Sequence, residues 1–426
     1  MHRHALTLLC GIAAFALVQT AAAQQFKPKT IQFKGAPDFS DADLLAASGL
    51  KSGVALSQAD MNAASQRLMD SGVFSNLSFK FDGQDLIFVL TPAAGLLPIQ
   101  LANFPIDSGK ELDAELHSQF PLYHGLVPTE GGLMELVRAA LETKLASAGF
   151  KASVLAVPGL TRGKANVVSY SITSPAVVVG DIRQASDSAA LDSGAQAILS
   201  KLTGAPYDAD GTPSQISTYL GNYFHDNGYL EAAVKAGRRG AATMNAANDA
   251  IQIPFEVSAA PGKQYCLAAI KLSPDLLVAQ ADFDHQAQIH PGDVAAAQRL
   301  NDEWAYVARQ YKNHGYMKVN VDAEPDFDRD KGTVTYTVSV QPGPQYTMGN
   351  LTIENVSDEL RAMMLKAWKM PAGSIYNQGA IIGFFATHGV NPDLERVFAN
   401  VSVKYTERLN DANRTVDLTL RLERKH

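Results

Sequence analysis

Cysteine is nearly absent from this sequence, with two residues in 426, Cys10 and Cys266. Cys10 falls in a segment with the marks of an export signal: basic Arg3, an apolar stretch from Ala5 to Val18, then Ala21-Ala22-Ala23. Cleavage after Ala23 is expected to leave Cys266 alone, which excludes an intramolecular disulfide even in an oxidising compartment. Leu8 and Leu9 are bulky where lipid attachment to Cys10 would want small side chains. Long hydrophobic runs are missing as well. The ~14 apolar residues of the signal are too few to span a bilayer of about 30 Å. Beyond it the longest candidate is the short run from Ala380 to Phe385, so the mature chain is expected to be soluble beyond the inner membrane. Positive charge is not in excess: once Arg3 is removed, 35 Lys and Arg stand against 43 Asp and Glu, a net charge of −8. That balance argues against nucleic acid or anionic lipid as a bulk partner.

What is present is repetition. Pro261-Gly262-Lys263-Gln264-Tyr265 and Pro342-Gly343-Pro344-Gln345-Tyr346 lie 81 positions apart, each followed by a short alternating apolar run. A period near 80 residues is too long for a helical solenoid or a propeller blade and suits an array of small domains. A glycine followed by an apolar residue closes four amphipathic helices, at Gly72-Val73, Gly149-Phe150, Gly228-Tyr229 and Gly315-Tyr316, with spacings of 77, 79 and 87. Glycine past a helix end takes the left-handed conformation that satisfies the last carbonyls, and the next residue restarts burial.

The helices before those glycines carry one apolar face, with Leu133, Leu136, Val137, Ala140, Leu141 and Leu145 in the second repeat and Leu300, Trp304, Val307 and Tyr311 in the fourth. Each glycine leads into a short strand and then a second with strict alternation, such as Ile251 to Val257, Val334 to Val340 and Val416 to Leu422. A shorter helix and an initial strand precede each long helix. The repeat therefore reads β-α-α-β-β, an α+β fold. In the fifth copy Val397 to Tyr405 aligns with Val73 to Phe81 better than Gly389-Val390 does, which predicts an insertion around Asn391 to Arg396.

A β-α-α-β-β unit of this length, exported, with a Pro-Gly-x-x-Tyr lead-in and a glycine–aromatic step out of its second helix, resembles the polypeptide-transport-associated (POTRA) domain. The resemblance implies five tandem domains, each a small three-stranded mixed sheet covered by two helices, together forming an extended arm. The expected boundaries are 24–93, 94–174, 175–260, 261–341 and 342–426, after a signal of 1–23. The lead-in is clear only in the last two copies, and the first strand ends in Gly35 as the family often has it, where other copies hold Asn103, Ser273 and Asn355. POTRA domains usually precede an outer-membrane β-barrel, which would need many further strands of about ten residues. The sequence stops at His426 after the last expected strand, so a separate barrel partner is expected.

By family likeness, an extended client adds to the edge formed by the second strand of each repeat, where main-chain hydrogen bonds give affinity with little sequence demand. The expected partner-binding residues are Asn76, Phe79 and Lys80; Lys151 and Val154; Leu230 and Val234; Met317 and Val319; and Val401 and Val403. Edge lysines also protect sheets from aggregation, and that reading is preferred for Lys80, Lys151, Lys318 and Lys404. Pro261, Gly262, Tyr265, Pro342, Gly343 and Tyr346 are expected at inter-domain joints, where proline limits slack.

No catalytic, cofactor or metal site is expected. The sequence has no serine elbow and no His pair four apart with a Glu. Asp326, Asp328, Asp330 and Gly332 fit a polar hairpin turn better than a calcium loop, because the glycine is one position late and Thr337 stands where a Glu is needed. Asp282, Asp284 and His285 read as a surface grouping, His225 and His314 as helix-end residues, and Cys266 as a small buried group. The expected function is a non-catalytic periplasmic scaffold, associated with the outer membrane, that binds polypeptides and assists outer-membrane protein assembly or transport. The alternative is a structural spacer or tether joining fixed protein partners.

Overall fold

The computed structural model describes residues 25–106, 109–160, 166–186, 188–385, 394, 396, 398 and 401–424. The expected signal, its cleavage after Ala23, and most of the expected insertion near Asn391 lie outside the described residues. By its contacts the chain divides into two compact units. One holds residues up to Gly180 with Gly204–Asp210 and Gly240–Pro254, and the other holds the rest, so the division runs through the third repeat.

The first repeat is β1 (Thr30–Lys34), α1 (Asp41–Ser48), α2 (Gln58–Asp70), β2 (Phe74–Asp82) and β3 (Asp85–Pro92). Ser40 caps α1 by accepting from Asp43 N at 3.1 Å. Ser57 and Asp60 form a reciprocal capping box on α2, Asp60 Oδ2 accepting from Ser57 N at 2.8 Å. That backbone bond holds the Asp60 carboxyl below its ordinary range. The sheet order is β1-β3-β2, with β1 parallel and β2 antiparallel to β3. The last strand is therefore central, which is why Leu86, Ile87, Phe88 and Leu90 are buried.

The second repeat has β4 (Leu97–Leu101), α3 (Lys110–Gln119), β5 (Leu126–Val127), α4 (Gly132–Ser147), β6 (Ser153–Leu160) and β7 (Asn166–Ser174). The third has β8 (Ala176–Gln184), α5 (Ser193–Leu202), α6 (Thr212–Asp226), β9 (Ala233–Arg238), β10 (Thr243–Met244) and β11 (Ala250–Ala260). These two sheets have four strands, not the expected three: β5 adds to β4 in one, and both β9 and β10 pair with β11 in the other. Gly180 lies in β8 because an added Cβ would meet the Ile253 backbone at 3.1 Å. In α4, Leu133, Val137, Leu141 and Leu145 are buried, but Leu136 is half exposed and does not belong to the packed face.

The fourth repeat comprises β12 (Cys266–Leu272), α7 (Gln280–Gln286), α8 (Ala297–Lys312), β13 (Asn320–Asp328) and β14 (Thr333–Gln341), in the order β12-β14-β13. The fifth comprises β15 (Thr347–Glu354), α9 (Asp358–Ala367), α10 (Gly379–Phe385), β16 (Val401–Asn410) and β17 (Thr415–Arg424), in the order β15-β17-β16. Each builds its own core around the central strand: Val334, Tyr336 and Val338 with Leu300 and Val307 in one, and Val416, Leu418 and Leu420 with Met364 and Tyr376 in the other. None of the described helices is long and apolar enough to cross a membrane.

Candidate functional site

Each sheet has two edges, and the repeat treats them differently. The first-strand edge is covered by the segment between the two helices. In the fourth repeat Leu267 N donates to Asp293 O, Gly292 N to Leu267 O and Ala295 N to Tyr265 O. The fifth repeats this with Met348 N to Ser374 O, Gly373 N to Met348 O and Tyr376 N to Tyr346 O. The third does so at Val177 and Val179 and the second through β5, whereas in the first repeat the corresponding bridge, Phe26–Leu56, lies ahead of β1. The other edge belongs to the second strand: β2, β6, β13 and β16 each end their sheet, and β9 lies alongside β11. Among the described residues no strand pairs with the outer side of β2, β6, β13 or β16. In β6 a side chain covers the second amide, Glu142 Oε1 accepting from Val154 N at 2.8 Å.

The residues expected on those edges divide into two groups. Asn76 and Lys80 are exposed on β2, whereas Phe79 packs toward Phe88 with ring centroids 5.7 Å apart. Val154, Val401 and Val403 lie in strands but turn toward their own cores, and Val234 is half-buried in β9. Strand alternation requires this, so such an edge can offer a client its backbone and its outward side chains only. Four expected strand positions precede their strands instead: Lys151 before β6, Leu230 before β9, and Met317 and Val319 before β13. Leu230 packs against the core of the fourth repeat and Met317 against that of the fifth, so the chain after the glycine first docks the next repeat and only then extends.

That docking recurs at matching offsets. Tyr265 N donates to Gly228 O and Tyr346 N to Gly315 O, both at 2.8 Å. Gln264 Nε2 reaches Asn227 O at 2.8 Å and Gln345 Nε2 reaches His314 O at 2.9 Å, satisfying carbonyls just past the preceding helix. Two residues before each glycine, Asp226 Oδ1 accepts from Gln298 N at 3.0 Å and Asn313 Oδ1 from Gly379 N at 2.8 Å. Helix α8 starts at Ala296 with no side-chain cap of its own, and the preceding repeat supplies it.

Three residues after each glycine the charge is inverted. Glu231 takes a two-point bond from Arg329, 2.6 and 3.3 Å, and also accepts from the Tyr265 hydroxyl. At the next joint Lys318 Nζ meets Asp411 Oδ2 at 2.7 Å, while the Tyr346 hydroxyl donates to Asp411 Oδ1 at 2.6 Å. The arginine, followed by the tyrosine hydroxyl, lowers the pKa of Glu231, and Lys318 with Tyr346 does the same for Asp411. Lys318 is thus a joint residue and not an edge lysine. Lys404 on β16 pairs with Glu423 at 2.7 Å.

Tyr265 and Tyr346 are fully buried at these joints. Gly262 and Gly343 take positive φ, as a turn after proline needs. Asp328 bonds Lys331 across the β13–β14 turn, and Gln280 bonds Asp284 on α7. His314 Nδ1 bonds Gln310 O at 2.8 Å, within its own helix end. Cys266 is half-buried because it opens an edge strand, not fully buried as expected. Sequence reasoning missed Asp226, Asn313, Glu231 and Asp411; the signal available was their constant offset from the glycine and the hairpin.

Residues 27–92 and 268–343 each match the model of the POTRA family, described as surface antigen variable number repeat. No curated protein matches the chain. Among solved structures, Haemophilus influenzae BamA POTRA3-5 aligns at 16% identity and TM-score 0.44, covering 59% of this chain and 98% of that one. BamA from Haemophilus ducreyi lacking POTRA domains 1–3 aligns at 14% identity and TM-score 0.30, over 38% of this chain and 30% of that one. The N-terminal domain of Omp85 from Thermosynechococcus elongatus aligns at 17% identity and TM-score 0.22, over 59% and 99%. Two separate segments match the family model, one in the first repeat and one in the fourth, so those two repeats are POTRA domains.

Proposed function

We propose that this chain is a non-catalytic periplasmic scaffold that binds extended polypeptides by strand addition and assists outer-membrane protein assembly or transport beside a separate barrel partner. The observation that carries the reading is the asymmetry of the edges: the start of the first-strand edge is covered in the second to fifth repeats, while the second-strand edge has no strand partner among the described residues of four sheets. An unpaired edge is a template for another chain unless it is blocked. A spacer that only joins fixed partners has no use for this asymmetry.

Photocrosslinkers placed in cells at Lys80 on β2 and Lys404 on β16 test the reading against Lys34 on β1 and Thr352 on β15. All four positions are exposed. Outer-membrane precursors or a barrel protein are expected at the first pair and not at the second. Equal capture from both pairs, or a single stoichiometric partner at the end repeats alone, would support the spacer instead.

A further inference from the structure

We propose that Asp43, His117 and His124 form a Zn²⁺ site that ties the first repeat to the second. Their ligand atoms all lie within 4.8 Å of one another. His117 Nε2 stands 3.5 Å from Asp43 Oδ1, and His124 Nε2 stands 3.5 Å from Asp43 Oδ2. A tetrahedral ion with bonds of about 2.0–2.1 Å puts neighbouring ligand atoms roughly 3.3 Å apart, so closing on the metal takes only small side-chain shifts.

The surroundings orient these atoms. His117 Nδ1 lies 2.8 Å from the Tyr123 carbonyl oxygen, which only accepts, so Nδ1 carries the hydrogen and Nε2 is the ring atom left to bind a metal. Tyr123 is itself fixed, being fully buried with its hydroxyl donating to Asp113 Oδ1 at 2.7 Å. On the other side Ser40 Oγ donates to Asp43 Oδ2 at 2.6 Å, and the Ser40 cap places Asp43 in the first turn of α1. The two imidazoles meet edge to face at 4.7 Å, and Phe39 packs on His124 at 5.0 Å. A cavity of about 330 Å³ lined by Ala114, His117, His124 and Gly125 lies beside them and leaves room for a water as fourth ligand. Two imidazoles and one carboxylate suit a borderline cation such as Zn²⁺ and not Ca²⁺ or Mg²⁺, which want oxygen throughout. Because Asp43 comes from one repeat and both histidines from the next, the ion acts as a staple across that joint. The joints before the fourth and fifth repeats have their buried tyrosine and ion pair instead.

The test is calorimetric titration of the whole mature chain, free of any histidine tag, with ZnCl2. One ion per chain is expected, with affinity falling at least tenfold in His117→Gln and in Asp43→Asn, and further in the His117→Ala/His124→Ala double variant. His285→Ala/His290→Ala should bind as the parent does. Co²⁺ should give visible d–d absorption of a four-coordinate site, and Zn²⁺ should slow amide exchange in residues 41–48 and 110–119. Absence of binding, unchanged affinity in the three ligand variants, or equal loss in the distant histidine pair would overturn the proposal. Asp43→Asn and His117→Gln keep size and polarity, so a folded variant is available even if the double alanine unfolds.

Discussion

Gly315→Ala is expected to open the joint between the fourth and fifth repeats, while Gly149→Ala, at the same place in the second repeat, leaves its surroundings intact. Both glycines have positive φ, +81° and +91°, so each alanine costs about 1–2 kcal/mol of backbone strain. They differ in what a Cβ would meet. At Gly149 nothing lies within 4 Å, whereas at Gly315 the Tyr346 carbonyl oxygen would be 2.5 Å away. Backbone cannot yield there without losing the Tyr346 N to Gly315 O bond, which raises the total to roughly 2–4 kcal/mol. Limited proteolysis between Gln341 and Tyr346 should accelerate in Gly315→Ala alone. Gly72→Ala should in the same way open the joint between the first and second repeats, since its Cβ would fall 2.0 Å from Glu130 O, and proteolysis should accelerate there instead. Equal behaviour of all three variants would mean that the glycines serve only as helix caps.

Leu420→Ala is expected to destabilise the fifth repeat by about 2–5 kcal/mol while sparing the first. Leu420 is fully buried on the central strand β17, between Ile353 of β15 and Tyr405 of β16, so its removal leaves a cavity where both neighbouring strands depend on it. Because the first, fourth and fifth repeats have separate cores, the loss should stay local or spread only to the adjoining repeat. Hydrogen exchange resolved by peptide should show faster exchange across 347–424 and unchanged protection across 30–92. Uniform loss of protection along the whole chain would contradict the independent cores.

The repeat is legible because two local signals agree: a glycine that ends the long helix in four of the repeats, and strict alternation in the strand that proves central. Val334, Val338, Val416 and Leu420 are all fully buried, as alternation requires. The second strand was placed too early because the residues after Gly228 and Gly315 are apolar or aromatic for another reason. Tyr229 and Tyr316 pack on their own helices, while Leu230 and Met317 enter the next core, and a single repeat's pattern holds no trace of that neighbour. The cluster of Asp43, His117 and His124 was invisible for a related reason. Asp43 lies in a different repeat from His117 and His124, 74 positions before the nearer of them, outside any spacing that a single helix or hairpin could impose.

The proposal that second-strand edges receive clients is tested most directly by adding an extended, alternating apolar peptide to the mature chain and following backbone amides by hydrogen exchange. Strand addition predicts slower exchange at alternate amides of β2, β13 and β16, with little dependence on peptide sequence and no change in β3, β14 or β17. Slower exchange confined to helices, or none at any peptide concentration, would contradict it.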